Sequence, residues 1–122
     1  MKTCLVVDDS KVVRMVARRM LEALRFQVIE AADGKEAMAA CQKKMPDSVL
    51  LDWNMPVMNG LEFLRALRKM PGGASPTVVF CTTEVDLEHI TEAIKNGANE
   101  YIMKPFDAEI LASKFQQVGL IE

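Results

Sequence analysis

The chain has no long apolar run: stretches such as Val49–Leu51 and Thr77–Cys81 fall far short of the roughly 20 residues a helix needs to cross a bilayer. Membrane insertion is not expected. A secretory signal is also missing, because Met1 to Val7 leads straight into two aspartates, with no long apolar region and no small-residue cleavage site. The expected location is the cytoplasm. Positive charge is not in excess either: 15 Lys and Arg face 17 Asp and Glu, a formal net charge of −2, so no global field draws the chain to nucleic acid. Cysteine is sparse. Cys4, Cys41 and Cys81 are odd in number and far apart, without a C-x-x-C pair and with a single His in the chain, which excludes a zinc set and leaves them as reduced core residues. Six glycines and five prolines, beside 50% apolar and 26% charged residues, exclude a disordered, collagen-like or low-complexity chain.

What is present is 122 residues, the usual size of one compact domain, and a single domain over residues 1–122 is expected. Cys4–Val7, Val49–Leu51, Val78–Cys81 and Tyr101–Met103 are continuous, partly β-branched runs, as in strands covered on both faces, and Val28-Ile29 is a weaker fifth. Segments of helical spacing separate them and one follows the last. This alternation predicts an α/β fold with a parallel sheet. Ser10 is placed to cap a first helix that turns Val13, Val16, Ala17, Met20, Leu21 and Leu24 inward. Asp33 with Glu36, and Asn59 with Glu62, have capping-box spacing for a second helix ending near Met45-Pro46 and a third with Leu61, Leu64 and Leu67 inside. A fourth helix is expected from about Val85 to Asn96, packing Ile90, Ala93 and Ile94 and closing at Gly97. The fifth follows Pro105 with Ile110, Leu111, Phe115 and Val118.

Charged and hydroxyl residues stand where the strand runs stop: Asp8 and Asp9, Asp52, Thr82, and Lys104. The carboxyl ends of a parallel sheet share one edge, so these residues converge. With strands one and three adjacent, Asp52 comes within roughly 5 Å of the Asp8-Asp9 pair, since neighbouring strands lie about 4.8 Å apart. Like charges at that distance repel by about 3 kcal/mol at an effective dielectric near 20. Lys104 offsets part of this and a divalent cation would offset more. Oxygen-only ligands favour Mg²⁺, with Asp9 and Asp52 as ligands and Asp8 partly through water. One strand-end aspartate is an ordinary helix cap; three, with a threonine and a lysine at equivalent positions, suit phosphoryl chemistry with Asp52 as the nucleophile.

The fragments L-V-V-D-D-S at 5–10, D-W-N-M-P at 52–56, Thr82-Thr83 and K-P-F at 104–106 occur in order. On them the sequence resembles the receiver domain of two-component response regulators over nearly its whole length, and most of all the stand-alone chemotaxis type. The resemblance implies a flavodoxin-like (βα)5 doubly wound sheet in strand order 2-1-3-4-5 and no output domain. It implies that Asp52 is phosphorylated by a sensor histidine kinase or a histidine phosphotransfer protein. One Mg²⁺ would be held by Asp9, Asp52 and the backbone carbonyl of Asn54, with Asp8 through water. Lys104 would contact the phosphoryl group, Thr82 would move toward it, and Tyr101 would swing inward. A cis bond before Pro105 is implied too. The chain would assist its own phosphorylation and dephosphorylation without being an enzyme in the usual sense, and Asn54 and Glu84 occupy positions that tune hydrolysis.

The implied partner surface is the fourth helix, fifth strand and fifth helix, with Ile90, Tyr101 and Lys114 matching contact positions. A flagellar motor switch is one candidate partner, although Leu87 stands where chemotaxis relatives carry a lysine. A regulator outside chemotaxis, or a phosphate shuttle, is the alternative within the fold. An Mg²⁺-dependent aspartyl-phosphate phosphatase is the alternative of another class, against which the adjacent Asp8-Asp9 pair, in place of D-x-D, counts. A flavodoxin-like nucleotide binder lacks its glycine-rich loop after strand one. Trp53 is expected in an exposed loop and His89 as a solvated helix residue. Lys11, Arg14, Arg18, Arg19 and Arg25 face Glu22 alone on the first helix, a solvated face or a dock for an acidic partner.

Overall fold

The computed structural model describes residues 1–83 and 87–122. Five strands alternate with five helices: β1 Thr3–Val7, α1 Lys11–Ala23, β2 Gln27–Ala31, α2 Gly34–Lys43, β3 Ser48–Asp52, α3 Gly60–Lys69, β4 Thr77–Thr82, α4 Leu87–Lys95, β5 Glu100–Met103 and α5 Ala108–Gln117. All strand pairs are parallel, in the order β2-β1-β3-β4-β5 expected of the flavodoxin-like arrangement. Four strands are one or two residues longer than their apolar runs, and β2, three residues longer, is a full partner of β1 in the register Cys4 to Val28. Among the described residues no helix is long and apolar enough to cross a membrane.

Local chemistry sets the helix starts. The Ser10 hydroxyl accepts from the Val13 N–H, Asp33 from Glu36, and Asn59 and Glu62 form a reciprocal capping box. Asp107 caps α5 in the same way, so that helix begins two residues after Phe106. The expected start of the fourth helix at Val85 lies outside the described residues.

The sheet separates two apolar layers. Leu5, Val49, Leu51, Phe63, Leu64, Leu67 and Phe80 pack beneath α2, α3 and α4; Val6, Leu50, Leu21, Ile102, Leu111 and Phe115 pack beneath α1 and α5. Three residues expected inside are outside: Val16 is 45% exposed, Ile94 47% and Ile110 44%. Each adjoins a buried residue, Ala17, Ala93 or Leu111. One helical step is about 100°, so on a helix covering a narrow strip of sheet the neighbour of a fully inward residue points sideways. Cys4, Cys41 and Cys81 are buried and free, and burial pushes their thiols up, to about 12 for Cys4 and about 11 for Cys41.

The guanidinium of Arg68 gathers loops that run without ladder bonds. It donates to the carbonyls of Gly97 (2.6 Å), Gly73 (2.9 Å) and Pro76 (2.8 Å) and to Asn99 Oδ1 (3.2 Å). Arg68→Met keeps the apolar stem and removes all of these donors. Water can reach part of the vacated site, so a loss of about 1–2 kcal/mol is expected in urea denaturation.

Candidate functional site

β1, β3, β4 and β5 end at one edge of the sheet, and the strand order reverses between β1 and β3, where open α/β sheets bind their ligands. Asp8 and Asp9 follow β1, Asp52 closes β3, Thr82 closes β4 and Lys104 follows β5. Carboxylate oxygens of Asp8, Asp9 and Asp52 lie within 4.8 Å of one another, close to the spacing expected from the strand separation. Asp8 is 3% and Asp52 8% exposed, whereas Asp9 is open to solvent. The ammonium of Lys104 reaches across from β5 to Asp8 Oδ2 at 2.5 Å and Asp52 Oδ1 at 3.1 Å.

The backbone locks Asp8 in place. Its N–H donates to the Ala31 carbonyl, its Oδ1 accepts the Ser10 N–H at 2.9 Å, and its own carbonyl accepts Arg14 Nη1 at 2.7 Å. Burial, then the charge of Asp8, raises the Asp52 carboxyl above its ordinary range, and Lys104 only partly opposes this. Burial alone would lower the Lys104 ammonium, but its bond to Asp8 and the charges of Asp52 and Asp8 outweigh it, so its protonated form is favoured. Three carboxylates thus face one bridging lysine, all with hard oxygen donors, a set that fits a small divalent cation such as Mg²⁺.

The loop from β3 to α3 is built around glycine. The N–H of Gly60 donates to the Trp53 carbonyl at 2.9 Å, and a Cβ at this position would lie 2.2 Å from the Asp52 carbonyl oxygen. Sequence reasoning passed over Gly60. The signal was available: glycine at the first position of a well-capped helix is a poor helix former, which points to a close backbone approach. In the same loop Val57 has φ of 68°, a left-handed conformation that is costly for a β-branched residue, and its side chain is 77% exposed. Val57→Gly removes that strain at some cost in unfolded-state entropy. A net gain of about 1 kcal/mol in chemical denaturation is expected.

The remaining expected site residues fall as follows. Asn54 is exposed, two residues beyond Asp52; Thr82 is buried at the end of β4 beside Met103. Glu84 lies outside the described residues. The Lys104–Pro105 bond is cis, as expected. Tyr101 is half-buried under the ammonium of Lys114, 4.6 Å from the ring centroid, and Lys114 also pairs with Glu100 at 3.6 Å. Ile90 and Tyr101 line one small cavity.

Two neighbours of the site differ from expectation. Trp53 is not an exposed loop residue: its indole is packed between Phe80, 4.9 Å away, and His89, 4.4 Å away. His89 is correspondingly half-buried on that ring and not simply solvated. The basic face of α1 is also less open than its own helix suggests, because Arg14 and Arg18 pair with Glu30 of β2 at 3.0 and 2.7 Å. Arg18, aided by Arg14, holds the Glu30 carboxyl below its usual range. The partner comes from another element, which a scan of one helix cannot see.

A five-stranded parallel sheet of this order, with an acidic cluster and a lysine at its switch point, is a flavodoxin-like fold with its candidate site where such sheets bind ligands. The sequence signature of the response regulator receiver domain matches residues 4–116, and the chain belongs to that family. It is 36% identical over 116 residues to the chemotaxis protein CheY1 of Helicobacter pylori, a match covering 93% of this chain and 94% of that one. The structure of the chemotaxis response regulator CheY4 of Vibrio cholerae superposes with a TM-score of 0.92 at 37% identity, covering 97% of this chain and 98% of that chain. The receiver domain of the sensor histidine kinase PA1611 of Pseudomonas aeruginosa, solved with a magnesium ion coordinated in its active-site cleft, gives 0.87 at 27% identity over 97% and 98% of the two chains.

Proposed function

We propose that this protein is a response regulator of the CheY-like type, acting in the cytoplasm, whose phosphoacceptor is Asp52. The observation that carries the reading is the convergence of Asp8, Asp9 and Asp52 within 4.8 Å beneath one bridging lysine. An Asp52 carboxylate oxygen attacks the phosphorus of a phosphohistidine; the new O–P bond forms as the P–N bond breaks, and the imidazole leaves with a proton. The donor is a sensor histidine kinase or a histidine phosphotransfer protein. Asp9, Asp52 and the Asn54 carbonyl, with Asp8 through water, would hold one Mg²⁺, which would supply positive charge to the phosphoryl oxygens. Lys104 moves from a bridge between carboxylates to a partner of the phosphoryl group, and the Thr82 hydroxyl donates to one of its oxygens.

Phosphorylation replaces one carboxylate charge by about two, with three acceptor oxygens. That change lets Tyr101 turn inward, which alters the surface of Ile90, Tyr101 and Lys114 that meets the downstream partner. Similarity to chemotaxis regulators along almost the whole chain favours a chemotaxis pathway. Incubation with phosphoramidate, a small P–N donor, followed by borohydride reduction, tests the assignment. Conversion of residue 52 alone to homoserine is expected, and conversion elsewhere would refute Asp52 as acceptor.

A further inference from the structure

The Asp8 carbonyl lies one residue beyond the end of β1, and among the described residues no backbone N–H reaches it. Arg14 takes that place. Its Nη1 donates to this oxygen at 2.7 Å while its Nε donates to Glu30 Oε1 at 3.0 Å, and its side chain is only 15% exposed. The Glu30 carboxylate is fixed in turn: its other oxygen accepts Arg18 Nε at 2.7 Å, and Arg18 Nη2 donates to the Val28 carbonyl at 3.2 Å. A line of directional bonds thus runs from the edge strand β2, through two arginines of α1, to the peptide that joins Asp8 to Asp9. The planar fork of an arginine suits two acceptors held at fixed places. The joining peptide matters because of Asp9. The Asp8 carboxylate is held by the Ser10 N–H and by Lys104, whereas the Asp9 carboxylate is open to solvent and takes no hydrogen bond from a described residue. Its backbone alone aims it at the site.

We propose that Arg14, oriented by Glu30, is a positioning residue for cation binding: by fixing the Asp8–Asp9 peptide it holds the Asp9 carboxylate within 4.8 Å of those of Asp8 and Asp52. It acts through Asp9 and touches no reacting atom, and its role rests on the reading of Asp9 as a Mg²⁺ ligand. Charge and geometry predict opposite signs for its removal. A cation beside three carboxylates disfavours a second one, so by charge alone Arg14→Met tightens Mg²⁺ binding. Positioning predicts the reverse. Loss of a group that orients a metal ligand typically costs tenfold or more in affinity, and binding about tenfold weaker is expected.

Titration of the folded protein with MgCl₂, followed by backbone amide NMR shifts, measures the dissociation constant without any turnover. A purely structural role for Arg14 would lower the urea midpoint and leave that constant where it is. Arg14→Lys keeps the charge but replaces the fork by a point donor that cannot serve both acceptors, so a several-fold loss of affinity is expected there too. Should the methionine variant not fold, the lysine variant decides by the same criterion. The Mg²⁺ concentration that gives half-maximal phosphate uptake from acetyl phosphate rises by the same factor as the dissociation constant. The parent protein separates the two claims. A parent without Mg²⁺-dependent shifts counts against the metal reading itself and takes the role of Arg14 with it. Where the parent binds, equal or tighter binding by Arg14→Met overturns the positioning role alone.

Discussion

Lys104→Met lowers the stability of the metal-free protein at neutral pH by about 2–4 kcal/mol, the usual cost of breaking a buried ion pair moderated by partial exposure. The lysine side chain is 17% exposed and bridges Asp8 and Asp52, whose side chains alone are 5% and 11% exposed. Without it the two carboxylates repel across less than 5 Å, an interaction of about 3 kcal/mol at an effective dielectric near 20. The pH dependence has a definite sign. The Asp52 carboxyl is already raised by burial and Asp8, and losing Lys104 raises it further. A carboxyl whose folded value lies above its unfolded value binds more protons when folded, so stability falls as pH rises between the two values. The deficit of the variant therefore shrinks on acidification. It also shrinks in millimolar Mg²⁺, which binds the variant more tightly than the parent because a competing cation is gone. Urea denaturation at several pH values, in EDTA and in Mg²⁺, checks this. An equal deficit in both media would contradict the electrostatic account.

Gly60→Ala is the second large effect, and its sign discriminates. Helix propensity alone predicts a gain of about 1 kcal/mol, since Gly60 begins α3 and alanine is the better helix former. The close approach predicts the opposite. With a Cβ placed 2.2 Å from the Asp52 carbonyl oxygen and 2.9 Å from the Phe80 ring, the end of β3 or the start of α3 must move, at a cost of about 3 kcal/mol. The displaced atoms belong to Asp52, so phosphate uptake falls along with stability. Urea midpoints and the rate of adduct formation from acetyl phosphate measure the two effects. A stabilised variant with undiminished uptake would show that the loop can relax freely.

Much of this site was legible before any coordinates, for a physical reason. In a parallel sheet the carboxyl ends share an edge, so an aspartate, a threonine or a lysine just after an apolar run has its place decided by topology. Asp8, Asp9, Asp52, Thr82 and Lys104 all fall under that rule. Helix starts at Ser10, Asp33 and Asn59 were readable because a cap bonds within three residues of itself. Strand order was not readable from spacing and came from family resemblance. The features that escaped depend on side chains meeting across elements: Arg14 and Arg18 on Glu30, Arg68 on the carbonyls of Gly73, Pro76 and Gly97, and His89 on Trp53. Val16, Ile94 and Ile110 show the complementary limit: periodicity marks a helix as amphipathic, but the width of sheet it covers decides which apolar residues are buried.

The most direct test of the account is intact mass after incubation with acetyl phosphate, in Mg²⁺ and in EDTA, for the parent protein and for Asp52→Asn. One phosphoryl adduct that forms only in Mg²⁺ and only with Asp52 present is the predicted result. An adduct of the same size and rate in EDTA, or on the asparagine variant, would contradict the assignment of the acidic cluster as a metal-assisted phosphoacceptor.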